Sequence, residues 1–223
     1  MHDPGGWLGA TWPFVREHLP PAPAAVLEVG CGSAGGFVPK LLAEGYAAVG
    51  VDPAAPAEPG FHRVEFERYE PPHPVAAVIA SNSLHHVGDL PAAVGCACDA
   101  LAPGGVLVVL EWGWERFDAA TARWCFDRMP ADGAEWLRHG HDRWVASGLP
   151  WDEYFPAWAN DHGLHPSAAV VDELDTRFTR TLFAEGPFFF SDLGIEPDEE
   201  RAAIAAGSIQ ATGIRYVGAP RAD

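Results

Sequence analysis

The stretch Glu28-Val29-Gly30-Cys31-Gly32-Ser33-Ala34-Gly35 sets three glycines at GxGxxG spacing behind a short apolar run, with a carboxylate two residues ahead of the first glycine. Glycines there let the backbone turn tightly and let a ligand lie against the main chain. The spacing suits a dinucleotide as well as other nucleoside cofactors, and Asp52, at the end of the next apolar run, is placed to take two ribose hydroxyls. Glu28 is the discriminating residue. A carboxylate at the end of a buried strand is costly unless a positive or hydrogen-bonding group meets it, and an ammonium group on the ligand would do so, directly or through water.

A second polar group, Ser81-Asn82-Ser83-Leu84-His85-His86, follows another apolar run, and Glu111 follows a later one. His85 is the candidate general base, because an imidazole titrates in the range that proton transfer near neutrality needs. A loop-holding role stands evenly beside it, and for His86 that role leads. Glu111 is placed to anchor a substrate amine or hydroxyl, or equally to cap a neighbouring backbone group. His139 and His141 flank Gly140 without a carboxylate in ligand pattern and are minor candidates for a base or a metal ligand. Cys31, Cys96, Cys98 and Cys125 lack CxxC spacing, so no metal site is expected.

Taken in order, these residues resemble the class I S-adenosylmethionine-dependent methyltransferases. Glu28 to Gly32, completed by Gly35, is similar to that family's (D/E)xGxGxG motif. Asp52 stands at its ribose acid and Phe66-Glu67 near its adenine contact. Ser81 to His86 is similar to the "LHH" segment under the methionine end, and Leu101-Ala102-Pro103-Gly104-Gly105 to the "LxPGG" turn before strand five. The match covers residues 24–111. It implies a cofactor site of Glu28, Gly30, Cys31, Gly32, Gly35, Asp52, Pro53, Phe66, Glu67, Ser81 and Asn82, with S-adenosyl-L-methionine as cofactor and S-adenosyl-L-homocysteine as product. One departure follows the third strand, where Glu65-Phe66-Glu67 runs quickly into Pro71-Pro72 and leaves open which of Glu65 and Glu67 faces the adenine.

The elements that must position these groups alternate. Residues 7–19 predict a helix, and strands are expected over 24–29, 47–51, 62–66, 75–80 and 106–110, with helices over 37–44 and 90–101 between them. Near-continuous apolar strands separated by helices predict a Rossmann-like α/β domain with a mainly parallel sheet. Beyond it, a helix over 151–162, strands over 170–182 and 212–217 and a helix over 198–207 are expected, the two strands forming an antiparallel edge. Organised this way, the chain is one domain: an N-terminal helix within 1–23, a cofactor half over 24–111, an aromatic-rich helical cap over 112–150, and a closing helix with strands over 151–223.

Seven of the nine tryptophans lie between Trp112 and Trp158. Aromatic walls suit an apolar or aromatic small-molecule acceptor, with Trp112 and Trp114 as binding candidates beside Glu111, while an inert second core is the even alternative. The net charge of −17, with only 14 Lys and Arg, argues against nucleic acid. No apolar stretch long enough for a membrane span and no leader-like segment are visible, so no membrane partner and a cytoplasmic location are expected. The sequence therefore predicts methyl transfer to oxygen or nitrogen of a small molecule. The alternatives are an NAD-dependent oxidoreductase, for which the single lysine, Lys40, leaves no obvious Tyr/Lys pair, and a cofactor-binding protein without transferase activity.

Overall fold

The structure, a computed structural model, describes residues 4–221. In chain order the elements are α1 (Pro4–His18), β1 (Ala25–Val29), α2 (Val38–Ala43), β2 (Ala47–Val51), β3 (Phe61–His62), β4 (Val75–Ser81), α3 (Leu90–Ala100), β5 (Leu101–Trp112), α4 (Ala119–Phe126), α5 (Glu135–Ser147), α6 (Trp151–Asp161), α7 (Ser167–Arg177), β6 (Phe178–Gly186), α8 (Phe190–Leu193), α9 (Pro197–Ala205) and β7 (Gly213–Pro220). The strands form one sheet in the order β3-β2-β1-β4-β5-β7-β6. Pairings from β3 through β5 are parallel, while β7 runs antiparallel to both β5 and β6. This is the Rossmann-like sheet that the alternation predicts, with its antiparallel C-terminal edge.

Two-residue periodicity divides the core between the faces of the sheet. Ala77, Ile79, Val108 and Leu110 join Val15, Phe37 and Leu41 on one side. Val78, Ala80, Leu107 and Val109 join Val94, Val170, Leu174 and Tyr216 on the other. Strands so covered on both faces carry no polar alternation. The Asp89 carboxylate accepts from the Ala92 amide at 3.0 Å and caps α3, which starts where expected. No described helix is long and apolar enough to cross a membrane.

Four segments differ from the sequence expectation. The strand expected over 106–110 begins at Leu101, which pairs with Val75, and the register shifts across Pro103-Gly104-Gly105 before Val106 pairs with Ala77. The strand expected over 62–66 ends at His62, because only Phe61 and His62 pair with β2, and Phe66–Arg68 is a 3-10 turn. The strand expected over 170–182 is helix α7 up to Arg177, with β6 beginning at Phe178. Glu115 accounts for this: its carboxylate accepts from the amides of Ser167 and Ala168 and from the Ser167 hydroxyl, nucleating a helix whose i, i+4 pair Val170 and Leu174 is buried. Helix α6 belongs with the cap rather than the sheet's core, since Trp151 and Phe155 pack on Phe117 and Phe126. The cap accordingly continues past residue 150.

Candidate active site

A cleft opens over the C-terminal ends of β1, β2 and β4, the edge at which open α/β sheets bind ligands. It has two halves of about 230 and 250 Å³ that share Gly30 and Asn82. One half is lined by Asp52, Pro53, Glu65, Phe66, Glu67 and His86, among others, and the other by Trp7, Glu28, Cys31, Gly32, Gly36 and Ser81, among others. No Lys or Arg lines either half, whereas four carboxylates do.

Glu28 is 1% exposed, and its carboxylate accepts from the Phe37 amide at 2.8 and 3.0 Å and from the Val38 amide at 3.1 Å. It therefore sits on the first turn of α2, where the amides of a glycine-loop helix would otherwise receive a ligand phosphate. A dinucleotide diphosphate would find that position already filled by a protein carboxylate and no cation to replace it. Gly36 makes the arrangement fit: a Cβ there would lie 2.2 Å from Glu28 Oε1, and φ is +55°. Sequence reading singled out Gly35 and passed over this residue.

Burial pushes the Glu28 carboxyl up to about 8 from its ordinary 4.5, against the Phe37 and Val38 amides and with some help from the charge of Asp52. Between those two values the folded chain holds a proton that the unfolded chain has released, so this group favours folding at low pH and loses that contribution as pH rises toward 8. Thermal melts from pH 5 to pH 9 are expected to show a steeper loss of stability for the wild type than for Glu28→Gln. Parallel curves would show that Glu28 is already ionised in the fold.

Asp52 joins the two halves, with one carboxylate oxygen accepting from the Gly32 amide at 3.0 Å and the other from the Ala54 amide at 2.7 Å. Its side chain is thus fixed at the end of β2 beside the glycine loop. Across the cleft Asn82 adopts φ 52°, and its Oδ1 is buried without a protein partner. A buried amide oxygen of this kind calls for a donor from outside the protein. The Trp7 indole N–H donates to Ser81 Oγ at 3.2 Å, which places α1 over the methionine end of the expected site. Of the two open candidates after β3, both Glu65 and Glu67 line the cleft, but Glu67 also accepts from the Asp89 amide at 3.4 Å. Cys31 is buried, and burial together with the charges of Glu28 and Asp52 pushes its thiol up to about 12, so it lines the site as an inert group.

Glu111 does not have a free carboxylate for a substrate amine. It is 1% exposed, one oxygen accepts from the amides of Ser83 at 2.9 Å and Leu84 at 2.8 Å, and the other accepts from the Trp112 amide at 2.9 Å and pairs with His85 Nδ1. Burial opposes its charge, yet the His85 ring and these amides hold it below the usual carboxylate range. The backbone-capping alternative is the one realised. His85 is correspondingly 4% exposed, tucked behind the cleft rather than at its mouth, while His86 lines the cleft. Burial and the neighbouring His85 push His86 down to about 4 against the pull of Glu111, so His86 is uncharged near neutrality.

Trp112 and Trp114 are each 5% exposed. Trp112 stacks on Phe188 at 5.6 Å and meets Trp136 and Phe155 edgewise or tilted, so these two expected substrate contacts are packed inside the aromatic cap. His141 stacks edgewise on Phe126 and pairs with Asp142, and no group of three or more metal-ligating side chains occurs among the described residues. Sequence reading missed Trp7 and Leu8 as cleft residues; the aromatic side chain at the N-terminal end of the first helix was the only signal.

The chain is matched over residues 12–166 by a family model described as a methyltransferase domain. Among solved structures it is similar to an S-adenosylmethionine-dependent methyltransferase from Mesorhizobium loti, at 17% identity and TM-score 0.57, covering 95% of this chain and 98% of that one. It is similar also to the N-methyltransferase NodS from Bradyrhizobium japonicum in complex with S-adenosyl-L-homocysteine, at 12% identity and TM-score 0.55, covering 99% and 90%. A third is the geranyl diphosphate C-methyltransferase from Streptomyces coelicolor A3(2), at 16% identity and TM-score 0.58, covering 96% and 79%. At these identities the likeness is one of fold. No curated protein sequence matches the chain.

Proposed function

Because the chain belongs to the methyltransferase domain family, matched over residues 12–166, we propose that it moves the methyl group of S-adenosylmethionine to an oxygen or nitrogen of a small-molecule acceptor, leaving S-adenosylhomocysteine. The observation that carries this reading is the cleft's lining: Asp52, Glu65 and Glu67 line it with no Lys or Arg, and the buried Glu28 carboxyl fills the place a diphosphate would need. Such a site favours a cationic nucleoside over an anionic dinucleotide. An NAD-dependent reading finds no support here, since Lys40 is half a helix away from the glycine turn and engages Glu44.

The residues fit the cofactor. The Gly30–Gly36 turn, held from behind by Glu28, takes the amino-acid end, Asp52 the ribose, and the 65–67 segment the adenine. Asn82 Oδ1 and Ser81 stand between the halves, where the two ends of the molecule meet. When bound, S-adenosylmethionine supplies a methyl group made electrophilic by its sulfonium. What the protein then contributes is alignment and exclusion of water. Trp7 closes one side, and uncharged His86 lines the other without repelling a cation.

An acceptor oxygen or nitrogen that carries a proton needs a base. In this reading the acceptor enters as its free base, since His85 is buried behind the cleft and His86 is held uncharged; the His85–Glu111 pair holds the segment after β4 that carries Asn82 and His86 into the cleft. Glu111 is a positioning residue. The test is incubation with methyl-labelled S-adenosylmethionine and a panel of phenols, carboxylic acids and amines, followed by detection of labelled product and S-adenosylhomocysteine. Labelled product is expected for at least one class, and His85→Asn, which loosens the segment after β4, is expected to weaken S-adenosylhomocysteine binding as well as lower kcat. Cofactor binding with no transfer across the panel would instead identify a binding protein.

A further inference from the structure

The cap contains a cavity of about 230 Å³ between α5 and α6, apart from the cleft. Its walls are the rings of Phe117, Trp136, Trp151, Phe155 and Trp158. On their far side Phe117, Trp136 and Phe155 touch Trp112, and the Trp112–Phe188 stack shuts the cavity off from Trp7 and the cofactor site. The walls ask for no polar partner at Trp151, whose indole N–H already donates to the Phe117 carbonyl at 2.6 Å.

The ionisable lining runs against the chain's composition. In a protein with 31 Asp and Glu against 14 Lys and Arg, the cavity is lined by Arg143, His139 and Tyr154 and by no carboxylate. His139 and Arg143 are exposed and stand at i and i+4 on α5, so both reach one mouth. Gly140 lies between them, and a Cβ placed on it meets no heavy atom within 4 Å. The volume lies between that of a cavity holding one benzene ring, about 150 Å³, and the roughly 300 Å³ at which drug-sized sites begin.

We propose that this cavity is a binding site for a small, flat, apolar anion: one or two fused rings held among Trp136, Trp151 and Phe155, with a carboxylate at Arg143 and His139. Ring faces and edges provide the offset and edgewise contacts that aromatic guests prefer. The guanidinium and imidazole at the mouth select the acid over its neutral isostere, in a molecule whose overall charge of −17 otherwise repels anions.

The test is calorimetric titration of 2-naphthoate and the neutral 2-naphthylmethanol into the whole protein without S-adenosylmethionine, so that the outcome does not depend on methyl transfer. Naphthoate is expected to bind about fivefold more tightly than the alcohol, the scale of an exposed ion pair. Arg143→Gln should remove most of that preference while leaving the alcohol's affinity unchanged. Gly140→Leu puts a side chain in the mouth at a position where helix propensity improves, and should abolish binding of both compounds with the melting temperature and S-adenosylhomocysteine affinity retained. Equal affinity for acid and alcohol in the wild type, no binding of either, or naphthoate affinity unchanged in Gly140→Leu would each overturn the proposal.

Discussion

Glu111→Ala is expected to lower stability by about 3–5 kcal/mol, the usual cost of removing one partner from a buried charged pair. The size follows from how much the side chain does: the amides of Ser83, Leu84 and Trp112 and the His85 ring all end on it, and alanine leaves each without a partner in a site closed to water. For a chain of this length the melting temperature should fall by roughly 6–20 °C, at about 2–4 °C per kcal/mol. Glu111→Gln keeps an acceptor oxygen and should lose less stability, yet it no longer holds the proton on His85 Nδ1. A well-folded Glu111→Gln protein with weakened S-adenosylhomocysteine binding is therefore the signature of positioning. If alanine costs under about 1 kcal/mol by denaturant titration, Glu111 does not organise the segment after β4.

The second large effect is expected at Gly30. A Cβ there would lie 2.2 Å from Ser83 Cβ, and the backbone is at φ +74°, so alanine meets both a left-handed strain and a collision between the turn after β1 and the segment after β4. Those two segments are the ones that border both halves of the cleft. Strain and overpacking together amount to about 3 kcal/mol, and if they are relieved by separating the segments, cofactor affinity falls by about two orders of magnitude. Gly104→Ala is the control: its φ is +77° but a Cβ meets nothing within 4 Å. It should cost about 1 kcal/mol of stability and leave affinity for S-adenosylhomocysteine unchanged. Equal affinities for the Gly30→Ala protein and the wild type would show that this close approach does not shape the cofactor site.

The cofactor half was readable from sequence because its signals are local. Buried parallel strands are continuous apolar runs, the turn after β1 needs glycine within a few residues, and Asp52 ends the strand next in line. The partners of carboxylates are another matter. Glu28 meets amides nine and ten residues on, and Glu111 meets a loop 26 to 28 residues earlier, so neither role shows in spacing alone. The same holds for Glu115, which starts α7 from some 52 residues away and turns an apparent strand into a helix. Aromatic residues pose a third difficulty. Nothing in the letter W separates Trp112, stacked in the interior, from Trp151 and Trp158, which line an open cavity.

The central claim is that this cleft, acidic and with its glycine-turn helix already capped by Glu28, takes S-adenosylmethionine and refuses dinucleotides. Isothermal titration of the wild-type protein with S-adenosylhomocysteine and with NAD, in one buffer near pH 7.5, tests it most directly. The account predicts a saturable one-to-one isotherm for S-adenosylhomocysteine and no measurable heat of binding for NAD; saturable binding of NAD with none of S-adenosylhomocysteine would contradict it.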